Sequence, residues 1–350
     1  MFALLEGFTH FGSWHGDSAA YVNIVKAFRG TASAEEAQFM HWHGILRPVV
    51  PFLALPLSYV ISYRDAIATV NLGFLVLGTL FTYLFTKRLL NNEVALVSAM
   101  SFASASPTLI FGTAILTDGP GYSMQIILLY FLLFVLEEKK DFKTSLFAGM
   151  LIGIGVLTKE TSFTVLVFLF LRFLLHKDRL KVSNVLTVAL VSIAIPLVWA
   201  QLVGYSYLGF YGEGLAYQSS YIAEIGYKGL LVHPRLFALS IIYAFYLCLP
   251  FAFLAFFTVD NHQFKTICEI LLSIGILLTL WPTGPESRFT FLTFPAILPL
   301  AALGMSEASQ ILARRPWFRM VSQRLWLLLI LLATVAYANA ATFRLYFRMP

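Results

Sequence analysis

The sequence predicts an all-α protein, a polytopic transmembrane helical bundle with about ten spans. Of the 350 residues, 59% are hydrophobic and 12% are charged, whereas about a quarter of a soluble domain is charged. Apolar runs such as 67–85 and 236–257 reach the roughly 20 residues that a helix needs to cross a bilayer. They lack the period-2 alternation of barrel strands, so only helices satisfy their backbone inside lipid.

The predicted spans follow one another from residue 66 onward. They are 66–86, 94–114, 119–137, 144–158, 161–175, 183–204, 236–257, 266–282, 289–306 and 325–343. Basic residues are concentrated in alternate connections, and the opposite connections hold only Lys159, Lys228, Arg235 and Arg288. Because basic loops stay in the cytoplasm, we expect a multi-pass protein of the cell membrane with these four residues outside. The net charge of +6 follows from this topology and does not indicate nucleic-acid binding.

The sequence predicts a single integral membrane domain over residues 1–350. Its parts are an outward first loop at 1–65, spans at 66–204, a long outward loop at 205–235 and C-terminal spans at 236–350. Because an outward first loop needs a helix before it, we expect a further span upstream of residue 1.

Two short helices are predicted inside the first loop. Residues 17–28 place Tyr21, Ile24 and Phe28 at helical spacing behind Asp17, which indicates an amphipathic helix. The stretch 45–62 is apolar but short and contains three prolines. We therefore predict that it lies on the membrane surface and does not cross it.

The outward connections concentrate ionisable residues, whereas the spans carry almost none at mid-depth. The outward set comprises Asp17, Arg47, Asp118, Lys159, Glu160, Glu286 and Arg288. An ion-coupled transporter would need such groups near the midplane. Cations suit a lipid phosphate at the interface, and a carboxylate suits the deprotonation of an acceptor hydroxyl. The candidate site is therefore on the outward face.

Each of these residues also has a purely structural interpretation, which the sequence leaves open. Asp17 is a favourable helix N-cap, and Asp118 precedes a proline suited to a first helical turn. Lys159 and Glu160 could form a surface pair of little energetic weight. Arg47 could extend its charge from the apolar layer into water.

Three other features favour a structural role. The aromatic residues of the long loop are typical of an interfacial belt and less so of a platform for a sugar or lipid: Tyr205, Tyr207, Phe210, Tyr211, Tyr217, Tyr221 and Tyr227. His41 and His43, with His10 and His15, lack the spacing of a catalytic metal site. Gly149 and Gly153 form a small-xxx-small pattern, which predicts close helix packing.

Five stretches, taken in order, resemble the GT-C membrane glycosyltransferases. The similarity is greatest to the protein O-mannosyltransferase-like branch, which includes the lipid A aminoarabinose transferases. The stretches are Asp17-Ser-Ala-Ala-Tyr21, Leu46-Arg-Pro-Val-Val-Pro51, Leu116-Thr-Asp-Gly-Pro120, Leu157-Thr-Lys-Glu-Thr-Ser162 and Glu286-Ser-Arg-Phe289. Many relatives have Asp-Glu where this chain has Asp17-Ser18, so one carboxylate remains here.

The resemblance implies transfer of a sugar from a polyprenyl-phosphate donor to an acceptor outside the cytoplasm, with inversion. On that basis Asp17 is the expected general base, and Arg47, Lys159 and Arg288 are expected to bind the donor phosphate. Supporting roles are expected for Asp118, Glu160, Tyr21 and Glu286. No cofactor is required by this chemistry, and assistance by a divalent metal stays open.

Three points stay open at this stage. The acceptor could be a protein, a lipid or a glycan. The protein could instead be a flippase for lipid-linked sugars. It could also be a non-catalytic scaffold subunit of the same family.

Overall fold

Both helices that the sequence predicts in the first loop are present, together with a short helix that it does not predict. The computed structural model describes residues 12, 17–38, 43–176, 180–209, 247–279, 291–316 and 320–348, and isolated positions between 212 and 245. Helix α1 spans Ser18–Phe28, α2 spans Ala34–Gln38, and α3 spans Val49–Leu57 after a 3₁₀ turn at His43–Leu46. All secondary structure in these described ranges is helical, so the predicted fold class is confirmed.

Helix α3 is too short to cross a membrane. It has nine residues, or about 14 Å at helical rise. One face, with Val50 and Ala54, is buried, while Phe52 and Leu53 are exposed. An exposed apolar face on a short helix is what a membrane-surface helix presents to lipid.

The central part of the chain is a series of helices joined by short connections. They are α4 (Tyr63–Leu89), α5 (Asn92–Ser104), α6 (Ser106–Phe111), α7 (Asp118–Lys139), α8 (Phe142–Thr158), α9 (Phe163–Leu175) and α10 (Val182–Leu202). Polar residues fix several starts, since Ser62, Asn91 and Asp141 each accept a backbone N–H of the following first turn. Helix α4 packs on α5 and α7, and α8 packs on α10.

The described residues from 247 onward include four helices. They are α11 (Cys248–Phe256), α12 (Asn261–Thr279), α13 (Phe294–Arg314) and α14 (Gln323–Arg348). Helix α13 packs on α11, α5 and α14, while α12 packs on α9. Most of the predicted long loop at 205–235 lies outside the described residues.

Among the described residues, four helices are long and apolar enough to cross a membrane. They are Tyr63–Leu89, Asp118–Lys139, Val182–Leu202 and Phe291–Arg314, and Phe142–Thr158 and Gln323–Tyr337 are apolar but shorter. Large apolar side chains face outward on α4 and α10, for example Leu80 and Leu190, as expected of surfaces in lipid. The protein is therefore an integral membrane protein, and the number of ten spans stays a prediction.

The continuous span predicted over 94–114 is wrong. Helix α5 ends at Ser104, Ala105 is extended, and α6 is a six-residue helix that begins at Ser106. Pro107 is the physical reason, since it has no N–H for the helix ladder and its ring would clash with the carbonyl four residues earlier in a continuous helix. It fits the first turn of a new helix instead. Residues 112–117 then form an irregular segment that leads into α7.

The predicted close packing at Gly149 and Gly153 is confirmed. A Cβ atom at Gly149 would lie 2.8 Å from the Cβ of Val191 and 3.0 Å from the carbonyl oxygen of Val188. A Cβ atom at Gly153 would lie 2.9 Å from the Cβ of Ile195. Both positions let α8 approach α10 more closely than any larger residue allows.

We predict that Gly149→Ala destabilises the bundle. The added methyl group meets backbone as well as side chain, so we expect a loss of about 1–3 kcal/mol from overpacking. The midpoint of thermal unfolding in detergent measures it. Gly73→Ala is the matched control, because nothing lies within 4 Å of a Cβ atom there. Equal unfolding midpoints for the two variants would refute the close α8–α10 approach.

Candidate functional site

Three connections meet at one end of the bundle. Helices α7 and α9 begin there, α8 ends there, and the turn before α3 reaches it from the first loop. The chain thereby brings together Arg47, Asp118, Lys159 and Glu160, which are far apart in sequence and all buried. Both carboxylates lie at helix N-termini, where the helix dipole favours negative charge.

Arg47 and Glu160 form a buried two-point ion pair. The Nε atom of Arg47 donates to Oε2 of Glu160 at 2.6 Å, and its Nη2 donates to Oε1 of the same carboxylate. This bidentate geometry orients the guanidinium in one plane. A third group, Nη1, donates to the hydroxyl of Tyr21 at 2.8 Å.

Lys159 and Asp118 form a second buried pair. The Nζ atom of Lys159 donates to Oδ1 of Asp118 at 2.6 Å, and the two side chains are only 2% and 1% exposed. Tyr122 also donates to Oδ1, at 3.4 Å. Gly121 makes room for the lysine, since a Cβ atom there would lie 2.7 Å from the Cβ of Lys159.

Tyr21 connects the two pairs. Its hydroxyl accepts from Arg47 and lies 3.0 Å from Oγ1 of Thr117, the residue directly before Asp118. Because that oxygen already accepts from Arg47, its own proton is available to Thr117. The four charged residues are therefore held in one continuous polar network.

The Arg47–Glu160 pair keeps both of its charges at neutral pH. Burial on its own would raise the pKa of Glu160, but the charge and hydrogen bonds of Arg47 outweigh it and lower that pKa to about 2. Burial raises the pKa of Tyr21, and Arg47 opposes this only in part. The stabilisation from the Glu160 carboxylate is therefore fully present above about pH 4.5 and is lost as the pH falls through about 2.

Asp17 stands at the start of α1, one helical turn before Tyr21. It occupies the N-cap position, but its side chain makes no capping hydrogen bond. Residues four apart lie on the same side of a helix, so the start of α1 presents Asp17 on the side of Tyr21. Asp17 is half-buried. It belongs to neither of the two buried pairs, and it lies four residues before Tyr21 of the network.

Several structural interpretations of the sequence are wrong. Lys159 and Glu160 are not a surface pair, because both are buried and each bonds a different partner. Arg47 does not extend into water, since its guanidinium is buried against Glu160. Helix α7 does begin at Asp118 with a proline in its first turn, yet that carboxylate also holds Lys159.

Sequence reasoning missed the residues that position these segments. Trp199 donates from Nε1 to the carbonyl of Ile45 at 2.9 Å, which ties the turn before Arg47 to α10. The buried amide of Asn71 in α4 donates to the carbonyls of Ala114 and Leu116. It thereby holds the irregular segment that delivers Thr117 and Asp118. Only the polarity of Asn71 inside an apolar span could have signalled this.

Some expected site residues fall outside the described residues. These are Glu286 and Arg288 of the predicted set, together with His10, His15 and His41. Within the described part of the chain, no group of three or more His, Cys, Asp or Glu side chains could hold a metal ion.

Comparison with known families supports the resemblance seen in the sequence. Residues 47–203 match the family model for dolichyl-phosphate-mannose-protein mannosyltransferases. This match contains Arg47, Asp118, Lys159 and Glu160. No curated protein sequence matches the chain significantly.

Solved structures show the same fold. ArnT from Cupriavidus metallidurans in the apo state has 12% identity and a TM-score of 0.61, with 98% of this chain and 74% of ArnT covered. ArnT bound to undecaprenyl phosphate has 12% identity and a TM-score of 0.60 over 98% of this chain and 71% of that one.

The oligosaccharyltransferase AglB from Archaeoglobus fulgidus is also similar. Its complex with an inhibitory peptide and a dolichol-phosphate has 16% identity and a TM-score of 0.54, with 85% of this chain and 47% of AglB covered. The GT-C resemblance is thereby confirmed at the level of the fold, and the match of residues 47–203 agrees with the mannosyltransferase-like branch.

We predict that Asn71→Ala lowers the free energy of unfolding by about 1–3 kcal/mol. The carbonyl of Leu116 loses its side-chain donor, and the carbonyl of Ala114 keeps only the backbone N–H of Leu116. Chemical unfolding in detergent measures the loss. Asn184→Ala is the control, since Asn184 is also buried in a helix but its amide nitrogen has no partner among the described residues. An equal loss in both variants would show that the bonds to residues 114 and 116 contribute nothing.

Proposed function

We propose that this protein with the GT-C fold is a glycosyltransferase. It moves a sugar from a polyprenyl-phosphate donor to an acceptor on the extracytoplasmic side, with inversion of the anomeric carbon. The observation that carries the proposal is the buried pair of cations, Arg47 and Lys159, inside a region that matches a mannosyltransferase family. Asp17 precedes Tyr21, which bonds Arg47, by one helical turn. ArnT binds undecaprenyl phosphate and AglB binds a dolichol-phosphate, which supports the same ligand class here.

The paired cations remain able to bind a phosphate. A guanidinium has five N–H donors, and Arg47 spends three of them on Glu160 and Tyr21 among the described residues. Two donors are left for a phosphate oxygen. The carboxylates of Glu160 and Asp118 thus keep the cations charged and oriented before the donor arrives, which is the preorganisation that electrostatic catalysis needs.

The proposed reaction balances without a metal ion. Asp17 accepts the proton of the acceptor hydroxyl or amine while that oxygen or nitrogen bonds to the anomeric carbon. The bond between that carbon and the phosphate oxygen breaks, and the oxygen keeps the electron pair. The leaving polyprenyl phosphate gains one negative charge, which Arg47 and Lys159 stabilise. In this proposal Arg288 and Glu286 complete the donor site from the connection before α13.

One prediction of this proposal concerns the general base, Asp17. Asp17→Asn in the full-length protein should lower the transfer rate by about 10²–10⁴-fold, the usual contribution of a general base. The probes are radiolabelled mannosyl and aminoarabinosyl polyprenyl phosphates, offered in proteoliposomes with a membrane extract as acceptor. Binding of undecaprenyl phosphate should be unchanged, because Asp17 does not hold the phosphate.

Asp65→Asn is the matched control, since Asp65 is exposed at the start of α4 near the same end. It should transfer at the parental rate. Transfer by Asp17→Asn at the parental rate would exclude Asp17 as the base. If the parental protein moves donors across the bilayer without transferring the sugar, the flippase alternative is correct. Donor binding with neither activity would indicate a scaffold subunit.

Another prediction of this proposal concerns binding of the donor phosphate. Arg47→Met combined with Glu160→Met removes the pair without leaving a buried unpaired charge. We expect the affinity for undecaprenyl phosphate to fall by about 10–100-fold, the value of one or more charged hydrogen bonds. Native mass spectrometry in detergent measures the bound lipid.

The matched control removes the Lys26–Glu36 pair, which belongs to the same loop but is partly exposed. Lys26→Met with Glu36→Met should bind undecaprenyl phosphate like the parent. If the Arg47 and Glu160 double variant also binds like the parent, the phosphate lies elsewhere.

A further inference from the structure

A second polar region lies at the opposite end of the bundle. Helices α7 and α9 both begin at the candidate site and both end here, about 20–30 Å away at helical rise. Their ends, with those of α4 and α12, enclose a cavity of about 340 Å³, a size typical of small-ligand sites. Leu89, Leu133 and Phe134 form its apolar wall.

The polar wall of the cavity rests on a buried arginine. Arg172 donates to Glu137 at 2.7 Å and to Glu269 at 2.6 Å, and His176 lies 2.6 Å from Glu269. The guanidinium is only 3% exposed. With carboxylates on α7 and α12, its charge is already compensated. Arg172 therefore holds the ends of the helices around the cavity in place and is not the cation that binds the ligand.

Two departures from regular backbone lie at the same cavity. Residues Leu132–Leu136 of α7 are π-helical, and such segments occur frequently at functional sites. Lys140 ends the helix with φ of 49°, a left-handed conformation that is unfavourable for a lysine. Both bring side chains to the cavity, since Leu133, Phe134 and Lys140 line it.

We propose that this cavity binds a headgroup that carries both a phosphate and a primary ammonium, as in phosphatidylethanolamine. Lys140 and His262 line the cavity and suit the phosphate. Glu138 suits the ammonium, because its present partner, Arg88, is a half-exposed group at 3.2 Å, and such pairs are weak. The apolar wall suits the first methylene groups of an acyl chain.

The charge balance favours a zwitterion over an anion. The lining residues Glu137 and Glu138 offset Lys140 and Arg172, and Glu269 behind them is balanced by Arg88 beside Glu138, so the charges around the cavity nearly cancel. A purely anionic headgroup would meet these carboxylates without a cation of its own. The site is independent of the glycosyltransferase proposal, since none of its residues belongs to the outward network.

The test titrates the detergent-solubilised protein with short-chain phosphatidylethanolamine, phosphatidylcholine and phosphatidylglycerol and follows binding by native mass spectrometry. We expect the strongest binding for phosphatidylethanolamine, whose ammonium can donate to Glu138. Glu138→Gln should abolish its preference over phosphatidylglycerol. Lys140→Gly should weaken all three lipids by about tenfold. Glycine adopts a positive φ without strain, so misfolding does not explain such a loss.

Lys143→Ala is the matched control. It removes the same charge from an exposed position in the first turn of α8 that does not line the cavity, and its binding should equal the parent's. Competition by soluble phosphoethanolamine at similar affinity would identify the free headgroup, not a lipid, as the source of the same chemistry. Equal binding of all three lipids, or identical behaviour of Lys140→Gly and Lys143→Ala, would overturn the proposal.

Discussion

The end of the bundle that carries the candidate site depends on two buried ion pairs, and each pair joins residues from different segments. Lys159 and Glu160 are neighbours in sequence, yet one bonds Asp118 and the other bonds Arg47. A buried charge without a partner is very unfavourable, so each pair forms only when its two segments meet. Together they join the first loop, the start of α7 and the connection between α8 and α9.

The sequence predicts most of the helices because their signals are local. The length of the apolar runs predicts α4, α7 and α10, and the helical spacing of apolar residues predicts α1. Gly149 and Gly153 predict the close approach of α8 to α10. The prediction fails at Pro107, where an apolar run hides a break that depends on one residue. It also misses the π-helical end of α7, because no local pattern distinguishes that segment from ordinary helix.

The sequence predicts which residues form the candidate site but not how they are arranged in space. Charge in short outward connections singles out Asp17, Arg47, Asp118, Lys159 and Glu160. Which cation bonds which carboxylate depends on contacts between residues more than 40 positions apart, and these leave no trace in local spacing. The positioning roles of Asn71 and Trp199 are hidden for the same reason, because each bonds backbone carbonyls of a distant segment.

Crossed pairing has a consequence for how this protein can change over evolutionary time. A substitution at Arg47 alone strands a carboxylate at Glu160, and one at Asp118 alone strands an ammonium at Lys159. For the stability of the fold, changing one member of a pair is therefore more costly than changing both together. Since Lys159 and Glu160 are adjacent, an insertion or deletion between them would disrupt both pairs at once. The spacing of Lys159 and Glu160 in the chain is thus fixed by the two pairs. The surrounding spans tolerate exchange among apolar residues of similar size.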